Sequence, residues 1–170
     1  AFGPEQVAGS LVGKMTRRHP WLYGTDTERT PWEQMKAKSR RSLAEGLPSG
    51  LPALHRAHRL QERAAGVGFD WPDVDGAWPK IEEEAAEVRA AVHAADTAAV
   101  RDELGDLLFA VVNVARHLGV EPEAALRAAT LKFRRRFEQV EVLARGRGLV
   151  LQTAGLEALD TLWAEVKTGE

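Results

Sequence analysis

Two acidic clusters at helical spacing, followed by an apolar run, constrain the fold of this chain more than any other feature. Residues three or four apart share one face of a helix, so each cluster predicts a helix with an acidic face. The six residues 107–112, directly after the second cluster, are all apolar, which is typical of a helix buried in a core. The first cluster contains Glu83, Glu84 and Glu87, and the second contains Glu103 and Asp106.

The position of the second cluster beside this run predicts carboxylates next to buried surface. An ionised carboxylate costs several kcal/mol to bury unless cations or hydrogen bonds compensate, and neighbouring like charges repel. A divalent cation would relieve both effects. For the first cluster, the alternative is a solvated first helical turn whose acids face the positive end of the helix dipole.

Length and composition restrict the class of protein. The 170 residues are 44% hydrophobic and carry a formal net charge of −2, which allows one good core and gives no basic block for a nucleic-acid polymer. The absence of cysteine excludes disulfides, a thiol nucleophile and thiolate metal sites, and fits a cytoplasmic protein. We find no membrane span and no signal peptide, and without a starting Met we interpret the chain as processed or as part of a longer protein.

Helical periodicity predicts an all-α helical bundle of four or five helices. The clearest break, 46–50, suggests residues 1–50 as an amino-terminal helical remnant with a linker, and 51–170 as the main domain. The helix predicted at 122–146 is expected to direct four apolar residues inward: Leu126, Phe133, Phe137 and Val140. The predicted helices cover about 5–18, 30–44, 52–65, 78–95, 97–118, 122–146 and 156–166.

Oxygen ligands alone suit hard cations such as Mg²⁺, with Mn²⁺ as an alternative. Zinc is disfavoured because the chain has no cysteine and no paired histidines. A di-iron site in a helical bundle needs Glu-x-x-His motifs, and none of the five histidines follows a Glu at that spacing.

A phosphate-bearing substrate also needs cationic and stacking groups. Lys132 and Arg136 share a face of one helix and could hold phosphate oxygens, or could form a solvated, salt-bridged face. Asn113 could orient a nucleotide group or satisfy a core contact, and Trp163 and Trp71 could stack a base or pack in the core. As a set, these residues indicate metal-assisted phosphoryl chemistry.

These segments resemble the MazG-type nucleoside triphosphate pyrophosphohydrolases. The acidic clusters look like the EExxE and ExxD pair of that family, and residues 51–170 read like the carboxy-terminal catalytic half of its two-domain members. Residues 15–20 resemble the end of the amino-terminal half. Further similar segments are 51–54, 67–71, 105–110, 113–117, 132–137 and 163–167.

The resemblance implies hydrolysis of nucleoside triphosphates to the monophosphate and pyrophosphate. It also implies that Lys132 and Arg136 contact phosphates, that Trp163 faces the nucleotide, and that the chain forms a homodimer or higher homo-oligomer. Glu83 would orient or activate water. By the same resemblance, Mg²⁺ would be held by Glu84, Glu87, Glu103 and Asp106.

One position departs from the family pattern. Thr130 stands where Asn is expected, so a hydroxyl replaces an amide that both donates and accepts. Two alternatives stay open, and the departure at Thr130 favours the first of them. The chain could be a regulatory helical module that binds nucleotide without turnover, or a plain dimerisation bundle.

Overall fold

The structure is a computed structural model that describes residues 3–18, 22 and 42–169. Within these residues it contains α-helices and no β-strand, which confirms the predicted all-α class. None of the helices in the described ranges has the length and apolarity needed to cross a bilayer. The helices are α1 (Pro4–Arg18), α2 (Ala53–Ala65), α3 (Val74–His93), α4 (Thr97–His117), α5 (Pro122–Gly146) and α6 (Gly155–Thr168).

The chain divides into two compact units. The first comprises residues 1–119 and the second comprises residues 120–170. The proposed division into 1–50 and 51–170 stays a prediction. The predicted helix at 30–44 lies outside the described residues except for 42–44, which form a bend and turns.

The first unit is organised around a hairpin of α3 and α4. The two helices pack against each other, and α4 also packs against α2. A connection of three residues joins them, in which Ala95 has a φ of 55° and Asp96 caps α4 by accepting from two backbone N–H groups. The buried apolar residues are small, which lets the helices approach closely: Ala77, Ala91, Ala110, Val112 and Val114.

Helix α3 begins earlier than predicted. We expected the residues through Gly76 to form a loop, with Trp78 and Pro79 leading into the helix, but the helix starts at Val74. The Asp73 side chain accepts a hydrogen bond from the Gly76 N–H and supplies the N-cap. Pro79 therefore lies inside the helix, where it removes the hydrogen bond to the Asp75 carbonyl.

The apolar run of α4 is not buried on all sides, so that prediction was wrong. Ala110 and Val112 are buried, whereas Leu108 and Phe109 are half exposed. Among the described residues, only the face of α4 that packs against α2 and α3 is covered. The sequence is apolar around the helix, but burial follows where the neighbouring helices lie.

The second unit packs α5 against α6. Its core contains Val140, Ala144, Leu162 and Val166. Arg147 donates two hydrogen bonds to the Glu165 carboxylate, at 2.8 and 2.7 Å, and so links the end of α5 to α6.

Only part of the predicted inner face of α5 is buried. Val140 is 1% exposed, but Leu126, Phe133 and Phe137 are exposed, which corrects the prediction for these three residues. The physical reason is length. Helix α5 has 25 residues and α6 has 14, so within this unit α6 covers only part of α5.

Two arginines of α2 hold the segment that precedes it. Arg63 is buried and donates from Nη1 to the backbone carbonyls of Leu43 and Glu45, while Arg56 donates to the Ser49 carbonyl. Ser49, in the segment 46–50 that was predicted as a linker, therefore contacts α2.

Candidate metal and nucleotide site

The α3–α4 hairpin brings the two acidic clusters together. Because the helices run antiparallel after a short connection, residues equally distant from Ala95 lie at the same level. Glu87 and Glu103 are such a pair. Each of Glu84, Glu87 and Glu103 offers a carboxylate oxygen, and these three oxygens lie within 4.8 Å of one another. We call these residues the carboxylate triad.

The donor atoms of the triad fit a hard divalent cation. All three are carboxylate oxygens, which Mg²⁺ and similar ions prefer. Glu84 is 5% exposed, and its Oε2 is buried without a hydrogen-bond partner in the described part of the chain. A buried acceptor without a partner costs about 1–3 kcal/mol, and a bound cation would remove that cost.

Mutual repulsion within the triad is visible in Glu87. Partial desolvation, followed by the charges of Glu103 and Glu84, raises the pKa of the Glu87 carboxyl above its usual value. The carboxylates are therefore held closer together than their charges favour. A cation bound among them would offset this repulsion.

Lys80 is a neighbour of the triad that the sequence analysis missed. Its Nζ lies 2.6 Å from Glu84 Oε1 and 3.0 Å from Glu83 Oε1. Hydrogen bonds to Glu84 and then to Glu83 raise the pKa of the Lys80 ammonium. The signal was present in the sequence, because Lys80 precedes these acids by three and four residues on one helix.

The two other predicted acids lie outside the triad. Glu83 has a side chain that is 55% exposed and is paired with Lys80. Asp106 is exposed, although it is as far along the chain from Ala95 as Glu84 is. The sequence predicted buried carboxylates in the second cluster, but the buried carboxylate is Glu84 in the first. This difference arises because burial depends on which surfaces the neighbouring helices cover: Glu84 is 5% exposed, whereas Asp106 is exposed.

Asn113 belongs to a polar network at the far end of the hairpin. Its Oδ1 accepts a hydrogen bond of 2.7 Å from Arg116 Nη2, and Arg116 also donates through both Nη atoms to the Asp70 carboxylate. His117 Nε2 lies 3.2 Å from Asp70. Burial alone would raise the pKa of Asp70, but the hydrogen bonds and charge of Arg116, with His117, hold that pKa below its usual value. Local sequence patterns do not indicate a pair of residues that lie 46 positions apart.

The predicted phosphate-binding and stacking residues lie in the second unit. Lys132 is exposed, while Arg136 and Trp163 are half buried. The Arg136 guanidinium carbon is 6.0 Å from the Trp163 ring centre, and the Phe133 ring centre is 5.3 Å from that of Trp163. Thr130, at the position that departs from the family pattern, donates its hydroxyl to the Leu126 carbonyl of its own helix.

The chain is similar to a known protein family. Residues 75–141 match the model of the MazG nucleotide pyrophosphohydrolase domain. The chain is 42% identical over 176 aligned positions to the nucleoside triphosphate pyrophosphohydrolase/pyrophosphatase MazG of Thermotoga maritima, with all of this chain and 68% of that protein covered. It is 39% identical over 184 positions to the nucleoside triphosphate pyrophosphohydrolase of Escherichia coli, with 99% of this chain and 69% of that protein covered.

A third relative is the uncharacterised protein YabN of Bacillus subtilis. It is 40% identical over 180 positions, which cover 99% of this chain and 37% of YabN. The domain match, with the extent and identity of these alignments, establishes that the chain belongs to the MazG family of nucleotide pyrophosphohydrolases.

Proposed function

We propose that the chain hydrolyses nucleoside triphosphates to the nucleoside monophosphate and pyrophosphate in a Mg²⁺-dependent reaction. The observation that carries this proposal is the carboxylate triad with the buried, unpartnered Oε2 of Glu84. The names of the Thermotoga maritima and Escherichia coli relatives, both nucleoside triphosphate pyrophosphohydrolases, support the same activity. Water breaks the anhydride bond between the α- and β-phosphates, and its hydroxyl and proton are divided between the two products.

The triad and Asp106 would hold the metal. Mg²⁺ bound there would neutralise phosphate charge and lower the pKa of a bound water. Asp106 would join the three triad carboxylates from the exposed face of α4. Glu83, exposed and adjacent to Glu84, would orient the attacking water and accept its proton.

We also propose residues that contact the substrate. Lys132 and Arg136 would bind phosphate oxygens, and Trp163 would stack on the base. Arg136 beside the Trp163 ring supports a combined role in phosphate binding and stacking. Asn113 would contact the nucleotide from α4.

Incubation of the protein with dATP or GTP and Mg²⁺ tests the proposal. We expect pyrophosphate and the monophosphate as products, and no product in the presence of EDTA. Release of orthophosphate would assign the protein to another class of phosphohydrolase. Nucleotide binding without any product would favour the regulatory module, which the departure at Thr130 motivates.

We also propose that the chain forms a homodimer or a higher homo-oligomer. The support is the exposed apolar face of α4, with Leu104, Leu108, Phe109 and Val111 each 45–50% exposed. Light scattering after size-exclusion chromatography would give the mass, and a monomer at micromolar concentration would contradict the proposal. A cytoplasmic location and a catalytic domain at 51–170 stay predictions from the sequence.

A further inference from the structure

The hydrogen bond between Asn113 and Arg116 fixes the orientation of the Asn113 amide. An arginine side chain carries only donors, so the atom that Asn113 directs at Arg116 has to be its oxygen. The amide group is planar, and its NH₂ is therefore directed away from Arg116. Within the described residues this NH₂ group has no hydrogen-bond partner. Asn113 consequently presents a donor, and no acceptor, on its other side.

Asp70 keeps Arg116 in the position that this orientation needs. Arg116 Nη1 donates to Asp70 Oδ2 at 2.9 Å, and Nη2 donates to the other oxygen of the same carboxylate. The Arg116 side chain is 12% exposed and that of Asp70 is 24% exposed. A bidentate, largely buried pair of this kind has one favoured geometry. The chain of contacts thus runs from the loop before α3, through Arg116, to the amide of Asn113.

The position of Asn113 on α4 relates it to the proposed site. Seven residues separate it from Asp106, which on a helix is nearly two full turns, so the two residues share a face about 10 Å apart along the axis. A nucleoside triphosphate whose phosphates lie at the carboxylates can extend its sugar or base along this face. The end of the ligand that reaches Asn113 is then the nucleoside.

We infer that Asn113 donates a hydrogen bond from its NH₂ group to an acceptor oxygen or nitrogen on the nucleoside, with Asp70 and Arg116 as positioning residues that fix the amide. This inference rests on the proposed function and adds to it a donor-only contact that selects substrates with an acceptor at that point. Asp70 and Arg116 touch no substrate in this account. They act only through the orientation of Asn113.

Asn113→Asp tests the donor directly. The aspartate has the same shape and keeps an oxygen for Arg116, but it replaces the NH₂ donor with an acceptor. With dATP and Mg²⁺ we expect KM to rise about tenfold, while kcat stays within about twofold, because the lost contact concerns binding. The inhibition constant of inorganic tripolyphosphate, which has no nucleoside, should stay within about twofold.

Asp70→Asn tests the positioning role. It removes the charge that holds Arg116, so the amide of Asn113 can turn, and we expect the KM for dATP to rise about threefold without a change in tripolyphosphate inhibition. The matched control is Asp102→Asn, which removes the same charge from an exposed position of α4 and should leave KM unchanged. If Asp70 had a purely structural role, Asp70→Asn would lower the melting temperature and leave the ratio of the KM for dATP to the inhibition constant of tripolyphosphate unchanged.

An unchanged KM in Asn113→Asp would overturn the inference, and so would equal increases in KM and in the tripolyphosphate inhibition constant. If the unmodified protein releases no pyrophosphate from any triphosphate, the proposed activity fails by itself. In that case calorimetry on the same variants tests the inference through the dissociation constants of α,β-methylene-dATP and of tripolyphosphate. We expect the first constant to rise and the second to stay unchanged in Asn113→Asp.

Discussion

Glu84→Gln should remove most of the stabilisation that Mg²⁺ gives to this protein. Glu84 is the buried member of the carboxylate triad, and one of its oxygens has no hydrogen-bond partner within the described residues. The amide keeps the shape of the side chain but carries no charge for a metal ion. The metal-free variant should remain folded, because the amide oxygen of Gln can still accept a hydrogen bond from Lys80 Nζ and the repulsion within the triad is relieved.

The expected magnitude follows from the linkage between binding and folding. At a Mg²⁺ concentration about 100 times the dissociation constant, binding stabilises the folded state by about 2.7 kcal/mol. For a chain of this size that corresponds to a rise in melting temperature of about 5–11 °C. Loss of an outer-shell partner already weakens metal binding by about 10–100-fold, so we expect loss of a direct ligand to cost at least about 100-fold. The same Mg²⁺ concentration then stabilises the variant by about 0.4 kcal/mol, or about 1 °C.

Thermal unfolding in EDTA and in a Mg²⁺ series measures this effect. Glu82→Gln is the matched control, because it removes the same charge from an exposed position two residues away on α3. The control should keep the full rise in melting temperature. A Glu84→Gln protein that keeps the rise of the unmodified protein would refute the assignment of the metal to the triad.

Three further predictions concern stability. Leu162→Ala should destabilise the second unit by about 2–5 kcal/mol in urea unfolding, because Leu162 is 1% exposed in its core, whereas Leu156→Ala, at a position 75% exposed, should change stability by less than about 0.5 kcal/mol. Equal effects would mean that the α5–α6 core is misplaced. Asp96→Ala should cost about 0.5–2 kcal/mol, because the Asp96 carboxylate caps α4 through the N–H groups of Ala98 and Ala99, and an unchanged urea midpoint would argue against the cap. Asp70→Asn should be less stable than the unmodified protein at neutral pH. The pKa of Asp70 in the folded protein lies below its usual value of 3.8, so the difference in stability should be complete above pH 3.8. It should disappear as the pH falls through the pKa of Asp70 in the folded protein. A difference independent of pH would exclude the Asp70–Arg116 pair as its cause.

The sequence predicted most helix ends because the signals for them are local. Asp96 and Gly119 bound α4, and Pro122 opens α5, as expected from capping and proline chemistry. The exception was the start of α3. There Pro79 suggested an entry point, but the side chain of Asp73 had already closed the first turn. Asp73 and Pro79 lie six residues apart and are both typical of a helix start. The structure shows that the helix begins after Asp73.

The amino-acid sequence by itself determined that acids at helical spacing form two faces, and a short connection between two helices then placed Glu87 opposite Glu103. The tertiary structure decided which carboxylate is buried, because burial depends on where neighbouring helices cover a surface and not on the residue's own helix. It also decided that Arg116 joins Asn113 to Asp70. Contacts between residues far apart in the chain depend on packing geometry, which local periodicity does not encode.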